Sequence, residues 1–594
     1  MNEPGSNTKY KSNLPLPLVD TEGSKLDAFT MTVLRRRFEA IIREMVNALF
    51  KSGRSGVLNT AMDFSCNLTD AKFQSISLAV GVPVHVGAIE LIPKAVAAKF
   101  GDDIHPGDCF ANNSGYMGNT HCADFTLCVP VFFEERLVFY AIARAHFADI
   151  GFPTPTTYSP TSVDMYAEGL TLPCVRIQRN YRDEEAVIDI CRANIRVPEQ
   201  FYGDYLACIA AVRTAERRLI ELCEKYGAEL LVNFVNQFQD YAEQMAKNAI
   251  SKLPGGNVSG TVIYDSELDE YPDGIPVNAT IDVDPVAGMI EVDLTDNVDN
   301  LPLGINLTEA TVTGVSRLAV LNILGPDIPR CTGAFRRLNI KLRDGAAVGR
   351  PVEPAATSAA TTNLCPTICS HIQALFAKLD DGLGTAYGSM GLPGSCPVVS
   401  GRDPRNGGKP FVNQIMMGHW GGPGVAGTDG WFTYGSASAQ GMLWQSSVEM
   451  VEYQQPLMVE EMSIRQDSGG AGQWEGAPGA YTVFKAHCTP VRFTVNAGAH
   501  DNPPPGVAGG QAGAPTRIYK LDLNGNRTDL GISIDVTLQP GEKLLSYGNG
   551  GGGFGDPTKR DMERVRERVR EGWLSADAAR ERYGLAIDNG VERT

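Results

Sequence analysis

Hydrophobic side chains recur at helical spacing in four stretches of this chain. In the first stretch, residues 27–50, one face is formed by Leu34, Phe38, Ile41 or Ile42, Met45 and Leu49. This periodicity predicts an amphipathic helix, with Thr30 or Thr32 as its cap. The other three stretches predict helices over residues 198–226, 229–252 and 307–324.

Residues 125–147 carry the pattern of a β-hairpin. Two runs rich in β-branched and aromatic residues, 125–133 and 137–147, are separated by three polar residues at 134–136. Alternation at period two predicts further strands across residues 257–300. Long amphipathic helices and antiparallel-rich sheets together predict a mixed α+β fold with several domains.

The register of this hairpin brings two polar residues together. If Phe133 opposes Leu137, the positions of opposing residues have a constant sum, so Asp124 opposes His146. Directly opposed residues have Cβ atoms about 4.5–5.5 Å apart on one face of the sheet. That separation suits a carboxylate and an imidazole that bind the same metal ion.

A candidate metal site follows from this register and from the scarcity of histidine. The chain has 8 histidines in 594 residues. His121 lies where the chain must turn before entering the first strand, so we predict His121, Asp124 and His146 as ligands. Asp63 or His85 is expected to supply a fourth. Nitrogen and carboxylate ligands fit one divalent ion, either zinc, manganese or iron, and the lack of thiolates is typical of a catalytic site.

Asp149 lies three residues beyond His146. We expect its carboxylate to orient a metal-binding imidazole or to act as a general base.

Composition narrows the class of protein. The hydrophobic content of 43% and charged content of 20% are typical of a globular protein. The net charge of −17 argues against nucleic-acid partners. No apolar run approaches the ~18 residues that cross a bilayer, and the first residues lack the apolar core of an export signal. The 13 scattered cysteines favour buried thiols in a reducing compartment, so we expect a cytoplasmic protein without membrane contact.

The length predicts more than one domain. The expected units are an N-terminal arm (1–26), a metal-site domain (27–255), a β-rich α+β domain (256–545) and a glycine-rich loop with a charged helical tail (546–594). Within that tail, Ser575 is the expected N-cap of the last helix. The glycines at 548–555 resemble a phosphate cradle, but the Lys-Ser/Thr of a P-loop does not follow them, so no nucleotide site is predicted here.

Motifs along nearly the whole chain resemble those of the hydantoinase B / 5-oxoprolinase B-type subunits, a family that includes the large subunits of caprolactamase and of acetone and acetophenone carboxylases. The matching stretches are 83–87, 106–108, 118–124, 144–151, 168–170, 306–310, 326–330, 465–472, 550–557 and 578–584. The resemblance implies metal ligands in the 118–124 and 144–151 segments, where this chain has His121, Asp124 and His146.

The resemblance also implies a partner and a reaction. Family members work with a hydantoinase A-type ATPase subunit that phosphorylates a lactam or carbonyl oxygen, with ATP and magnesium bound to that partner. The expected function is ATP-dependent opening of a cyclic amide of the hydantoin, oxoproline or lactam type, within a hetero-oligomer. The alternatives are ATP-dependent carboxylation of a ketone and a non-catalytic structural subunit.

One segment departs from the family pattern. Many members read Asn-Asp-Pro-Tyr where this chain has residues 113–116. Ser114 replaces the aspartate, and Tyr116 is retained. We expect both side chains to contribute to catalysis in a modified site.

Overall fold

The long N-terminal helix predicted by the hydrophobic spacing is present in the computed structural model, which describes residues 23–76, 81–418, 420–432 and 435–586. The helix runs from Ala28 to Ser52 and buries the predicted apolar face. Its cap is Asp27, not a threonine, and the Asp27 carboxylate accepts from the Thr30 N–H at 2.9 Å. Residues 1–22 of the predicted arm lie outside the described residues.

The first part of the fold is a six-stranded antiparallel sheet with long helices. The helices are α1 (Ala28–Ser52), α2 (Gly56–Asn59), α3 (Pro83–Val86), α4 (Leu91–Phe100), α5 (Glu185–Asn194), α6 (Pro198–Tyr226) and α7 (Ala228–Ile250). The strands are β1 (Phe64–Asp70), β2 (Cys109–Asn112), β3 (Asp124–Phe133), β4 (Arg136–His146), β5 (Val175–Arg179) and β6 (Arg182–Asp183). Their order is β1-β4-β3-β2-β5-β6, and α6 packs on α1, β3 and β4 around one hydrophobic core.

The hairpin of β3 and β4 has the register that places Asp124 opposite His146, as predicted. Pro130 pairs with Tyr140 of β4, but β2 reaches only as far as Cys128 of β3. Pro130 therefore lies where β3 is paired on one side only. A proline is tolerated there because it has no N–H to donate to a second neighbouring strand.

The tip of the hairpin differs from the prediction. Its turn has two residues, Glu134 and Glu135, with φ of 49° and 63°. Two successive positive φ values are typical of a type I′ turn, whose twist matches that of a hairpin. Phe133 therefore does not pair with Leu137, and a β-bulge at Val138 absorbs the extra residue before the Asp124–His146 end.

The second part of the fold is a four-stranded sheet covered by helices. Its elements are β7 (Gly256–Tyr264), β8 (Ile275–Asp284), β9 (Met289–Asp293), α8 (Glu309–Leu324), α9 (Thr332–Phe335), β10 (Leu338–Lys341) and α10 (Leu364–Leu375). The strand order is β10-β9-β8-β7, and α10 packs against α8 and β7. Buried and exposed residues alternate along β7 and β8, as the sequence pattern predicts.

The third part consists of two antiparallel sheets and short helices. Its elements are β11 (Val398–Asp403), β12 (Lys409–Gln414), α11 (Val448–Gln454), β13 (Leu457–Ile464), β14 (Ala480–Ala486), β15 (Val491–Asn496), β16 (Arg517–Leu521), β17 (Arg527–Asp529), β18 (Ser533–Leu538), β19 (Lys543–Tyr547), α12 (Met562–Arg570) and α13 (Ala576–Tyr583). The sheet orders are β12-β11-β15-β18 and β13-β14-β19-β16-β17. The predicted cap Ser575 accepts from the Ala578 N–H at 3.1 Å.

The glycine-rich segment at 548–555 is packed against other backbone. A Cβ added at Gly550, Gly551 or Gly552 would approach a carbonyl oxygen within 2.0 Å, so only glycine fits there. The segment therefore serves close packing of chains and does not have the form of an open loop around a phosphate.

The thiols agree with the expectation from composition. All thirteen cysteines are unpaired, and Cys488 is the exposed one among them. Among the described residues, none of the helices combines the length and the apolar character that crossing a bilayer requires.

Candidate metal centre

Two strand ends and one turn bring three metal-ligating side chains together. Asp124 opens β3 and His146 closes β4, so their pairing places both at one end of the hairpin. His121 precedes Asp124 by one turn, which is held by Asn119. The Asn119 side-chain amide donates to the carbonyls of His121 and Asp124 at 2.7 and 2.6 Å.

The three side chains have the spacing of ligands to one ion. One potential ligand atom from each of His121, Asp124 and His146 lies within 4.8 Å of the other two. Asp124 Oδ1 is 3.3 Å from His121 Nε2 and 3.6 Å from His146 Nδ1. All three residues are buried, with at most 3% of their surface exposed.

Asp63 and His85 lie beside this cluster. Asp63 immediately precedes β1, and its carbonyl accepts from the His146 N–H at 3.0 Å. The Asp63 carboxylate bridges two histidines, because Oδ2 is 4.0 Å from His146 Nδ1 and Oδ1 is 3.7 Å from His85 Nε2. His85, on α3, also approaches Asp124 Oδ2 with its Nε2 at 3.4 Å. Both expected sources of a fourth ligand therefore reach the cluster.

The donor set fits a divalent ion. Asp124 Oδ1 and the Nδ1 atoms of His85 and His121 are buried without a hydrogen-bond partner. Leaving a buried carboxylate oxygen such as Asp124 Oδ1 unpaired costs about 1–3 kcal/mol, so a missing partner is indicated at that atom. The side chains of Asp63, His85, His121 and His146 line a cavity of about 40 Å³. That volume is enough for an ion with a water molecule.

The tautomer of His146 is set by Thr157. The Thr157 hydroxyl donates its one proton to the Phe147 carbonyl at 2.6 Å. The contact of 2.8 Å between Thr157 Oγ1 and His146 Nε2 must therefore use the imidazole proton. Because Nε2 carries the proton, the lone pair of His146 is on Nδ1, which faces Asp124 and Asp63.

The pKa values of Asp124, Asp63 and His85 are shifted by burial and by the charges of neighbouring residues. Burial raises the pKa of Asp124, but His121 and His85 outweigh it and hold that pKa well below its usual range. Burial raises the pKa of Asp63 to about 6, although His146 opposes the shift. Burial lowers the pKa of His85 to about 3, so its imidazole is neutral at pH 7.

Arg144 holds the loops around the site in place but is not among the candidate ligands. Its guanidinium, 1% exposed, donates to Thr126 Oγ1 at 2.9 Å and to the His85 carbonyl at 2.6 Å. Thr120 also contributes, because its hydroxyl donates to Asp124 Oδ2. These bonds fix the carboxylate and α3 in place.

The carboxylate of Asp149 is bound by the backbone of the loop that follows it. Its Oδ2 accepts from the Arg196 backbone N–H at 2.7 Å, and its Oδ1 accepts from the Gly151 N–H at 3.0 Å. These hydrogen bonds hold the carboxylate to the following loop, and its expected role as an orienting group or a general base stays a prediction.

Ser114 and Tyr116 also lie outside the set of residues that line the cavity. The Tyr116 hydroxyl donates to the Ala355 carbonyl, and burial raises its pKa. The Ser114 carbonyl accepts from the N–H groups of Met117 and Asn119 in a tight turn. Both residues shape the turn that leads to His121, and their expected catalytic role stays a prediction.

The far wall of the cavity was not foreseen from the sequence. It is formed by residues that are distant in sequence, including Thr361, Leu392, Gln414, Trp420 and Leu443. Thr157 was missed as well. Nothing in the local pattern marks these residues, because each reaches the site only through tertiary packing.

The family model described as Hydantoinase B/oxoprolinase matches residues 27–557. The chain belongs to this family, as its motifs indicated. Its mixed α/β fold with antiparallel sheets agrees with that assignment.

Individual relatives cover nearly the whole chain. The beta subunit of caprolactamase from Pseudomonas jessenii is 29% identical over 575 residues, which are 95% of this chain and 97% of the relative. The crystal structure of the ATP-dependent caprolactamase from Pseudomonas jessenii matches with a TM-score of 0.86 at 28% identity, covering 96% of this chain and 98% of that chain. The delta subunit of acetophenone carboxylase from Aromatoleum aromaticum is 23% identical, covering 96% of this chain and 88% of the relative.

Proposed function

We propose that this chain is the metal-binding subunit of an ATP-dependent enzyme that opens a cyclic amide. A hydantoinase A-type ATPase subunit is its partner in a hetero-oligomer. The observation that carries the proposal is the buried Asp124 Oδ1, which lacks a hydrogen-bond partner and lies 3.3 Å from His121 Nε2 and 3.6 Å from His146 Nδ1, beside one cavity. Family membership and the caprolactamase relative support cyclic amides as the substrate class.

The partner's step explains the need for ATP. Amide resonance makes the carbonyl carbon a weak electrophile and the ring nitrogen a poor leaving group. Transfer of the γ-phosphoryl group of ATP to the amide oxygen removes that resonance and activates the carbon. The close-packed glycines at 548–555 support placing ATP and its magnesium on the partner, because they leave no cradle for phosphate.

This chain's residues would then hold the ion and position water. His121 Nε2, Asp124 Oδ1, His146 Nδ1 and Asp63 Oδ2 are the assigned ligand atoms. When bound, a zinc, manganese or iron ion supplies Lewis acidity and lowers the pKa of a coordinated water. Thr157 keeps His146 in the ligating tautomer, and Thr120 fixes the second oxygen of Asp124.

We assign proton transfer to His85, assisted by Asp63. His85 Nε2 is 3.7 Å from Asp63 Oδ1, the oxygen that points away from His146. Neutral His85 accepts the proton of the water that adds to the activated carbon. Protonated His85 then gives the proton to the ring nitrogen, which leaves as an amine. A second water releases phosphate from the resulting acyl phosphate and leaves a carboxylate.

The cavity must open to admit a substrate. Its volume of about 40 Å³ is smaller than any cyclic amide ring. The wall opposite the ligands includes loop residues, among them Leu392, Met416 and Leu443, which lie outside the described helices and strands. We assign the opening to this wall, because the ligand side is fixed by the hairpin and by Arg144.

Ketone carboxylation is the second candidate function, since the match to the acetophenone carboxylase subunit covers 88% of that relative. The decisive experiment is co-expression of this chain with its ATPase partner, followed by assays with ATP. Ring-opened amino acid formed with a lactam, without bicarbonate, supports the proposal. ATP turnover that requires a ketone and bicarbonate, with no lactam product, contradicts it and favours the carboxylase. No ATP-dependent product with either class, from a metal-loaded complex, would favour a structural subunit.

A further inference from the structure

Gln414 is the last residue of β12, where alternation directs its side chain away from that of Asn413. Asn413 Oδ1 accepts from the Val57 N–H at 3.2 Å and so belongs to the packing of α2. Gln414, 2% exposed, lines the metal cavity instead. The strand thus delivers a carboxamide to the same cavity as the histidines.

The Gln414 side-chain oxygen has no hydrogen-bond partner there, whereas Trp420, Ser436 and Ser438 on the same wall are paired. Gln414 Oε1 is buried without a hydrogen-bond partner. On the same wall, the Trp420 indole N–H donates to the Gly391 carbonyl at 2.9 Å. The hydroxyls of Ser436 and Ser438 lie 2.8 Å apart in a mutual hydrogen bond. A buried acceptor left free in this way indicates a partner that arrives with the ligand.

We propose that Gln414 selects the substrate by accepting a hydrogen bond from the ring N–H of a cyclic secondary amide, an inference that rests on the proposed function. In a small ring the amide is cis, so its N–H and C=O share one edge. A primary carboxamide presents an acceptor and a donor on one edge and matches that pair. A ketone or an N-alkylated lactam has no N–H to offer.

The same contact serves the reaction after phosphorylation. The phosphorylated oxygen can no longer pair with the carboxamide, but the nitrogen keeps its proton when the activated amide is cationic. Gln414 Oε1 then stabilises the N–H of this cation and favours the more electrophilic form of the carbon. Gln414 is therefore expected to affect both substrate binding and turnover.

The test uses the reconstituted complex with ε-caprolactam and its N-methyl derivative, measuring ring-opened amine. Wild type is expected to strongly prefer the N–H lactam, because sites built to bind an N–H reject analogues that lack it. Gln414→Leu should lower kcat/KM for the N–H lactam about tenfold or more and shrink the preference. Gln414→Glu, which retains an acceptor, should keep more of the preference than the leucine variant.

Controls separate the possible failures. Gln539→Leu, at an exposed position outside the cavity lining, should behave as wild type. Unchanged metal content in Gln414→Leu would show that the ligand cluster is intact. Lactam opening with an undiminished N–H preference in Gln414→Leu overturns the role of Gln414 alone. Absence of lactam opening in wild type, with ketone-dependent ATP turnover, overturns the proposed function itself.

Discussion

His121 and His371 are equally buried, with 1% of each exposed, yet their surroundings differ. His371 Nδ1 lies 2.6 Å from the Tyr387 hydroxyl, and its Nε2 lies 3.0 Å from the Gly260 carbonyl, so both nitrogens are paired. His121 Nδ1 has no partner, and its Nε2 points at a carboxylate oxygen that also lacks one. Burial therefore does not separate the two histidines, whereas the hydrogen-bond partners of their ring nitrogens do.

The largest difference between the two histidines is expected when each is replaced by alanine and the activities of the two variants are compared. His121→Ala should reduce lactam-opening kcat/KM by more than about 100-fold, exceeding the usual cost of losing an outer partner of a metal ligand. His371→Ala should retain most of the activity, because its imidazole serves packing. Steady-state assays of both metal-loaded variants give the answer. Equal losses of activity in the two variants would contradict the claim that His121 and His371 have different roles.

The buried His371 should also affect how the folding stability of the protein depends on pH. Burial lowers the pKa of His371 to about 4, whereas an unfolded histidine titrates near 6.5. The unfolded state therefore binds more protons between these values, and stability falls as the pH drops from about 6.5 to 4. The expected loss from this group is about 3 kcal/mol. Denaturant unfolding of wild type beside His371→Gln, at pH 7 and pH 4.5, should show a smaller loss in the variant; identical pH dependence would be contrary evidence.

The tautomer assignment predicts an intermediate effect. Thr157→Val removes the acceptor that holds the proton on His146 Nε2, so metal affinity should fall about 10–100-fold. Thr157→Ser keeps the hydroxyl and serves as the matched control. Competition with a chromophoric chelator measures both affinities. A valine variant with wild-type affinity would show that Thr157 does not set the tautomer.

The smallest effect is expected at Asp149. Asp149→Asn should leave metal content and activity unchanged, since its partners are Arg196 and Gly151 and not an imidazole. Because the buried carboxylate accepts from two backbone N–H groups and asparagine can accept from only one of them, we expect a stability loss of about 1–3 kcal/mol. Thermal unfolding and elemental analysis of this variant test the point, and loss of metal would restore Asp149 to the site.

The local hydrophobic pattern predicted correctly those parts of the fold that depend on residues close in sequence. The bounds of α6 match the prediction, and the pairing of Asp124 with His146 follows from strand register. The predicted three-residue turn of the hairpin was wrong. The turn has two residues, and a bulge at Val138 takes up the one residue of difference. The register at Asp124 and His146 is still as predicted, because the two changes cancel.

The missing parts of the site are those that only tertiary structure supplies. Thr157 and Gln414 reach the cavity from a loop and from a different sheet, and no spacing in the sequence links them to His146. The contacts of Asp149 were not foreseen either. Its closeness to His146 in sequence suggested a contact, but the chain turns at Gly151, where φ is 85°, and directs the carboxylate toward Arg196.

The most direct test of the metal centre is elemental analysis of three proteins purified without chelator: wild type, His146→Ala and His371→Ala. Wild type and His371→Ala should each contain one divalent ion per chain, and His146→Ala should contain none while remaining folded by circular dichroism. Full occupancy in His146→Ala, or no metal in wild type, would contradict the assignment of His121, Asp124 and His146 as its ligands.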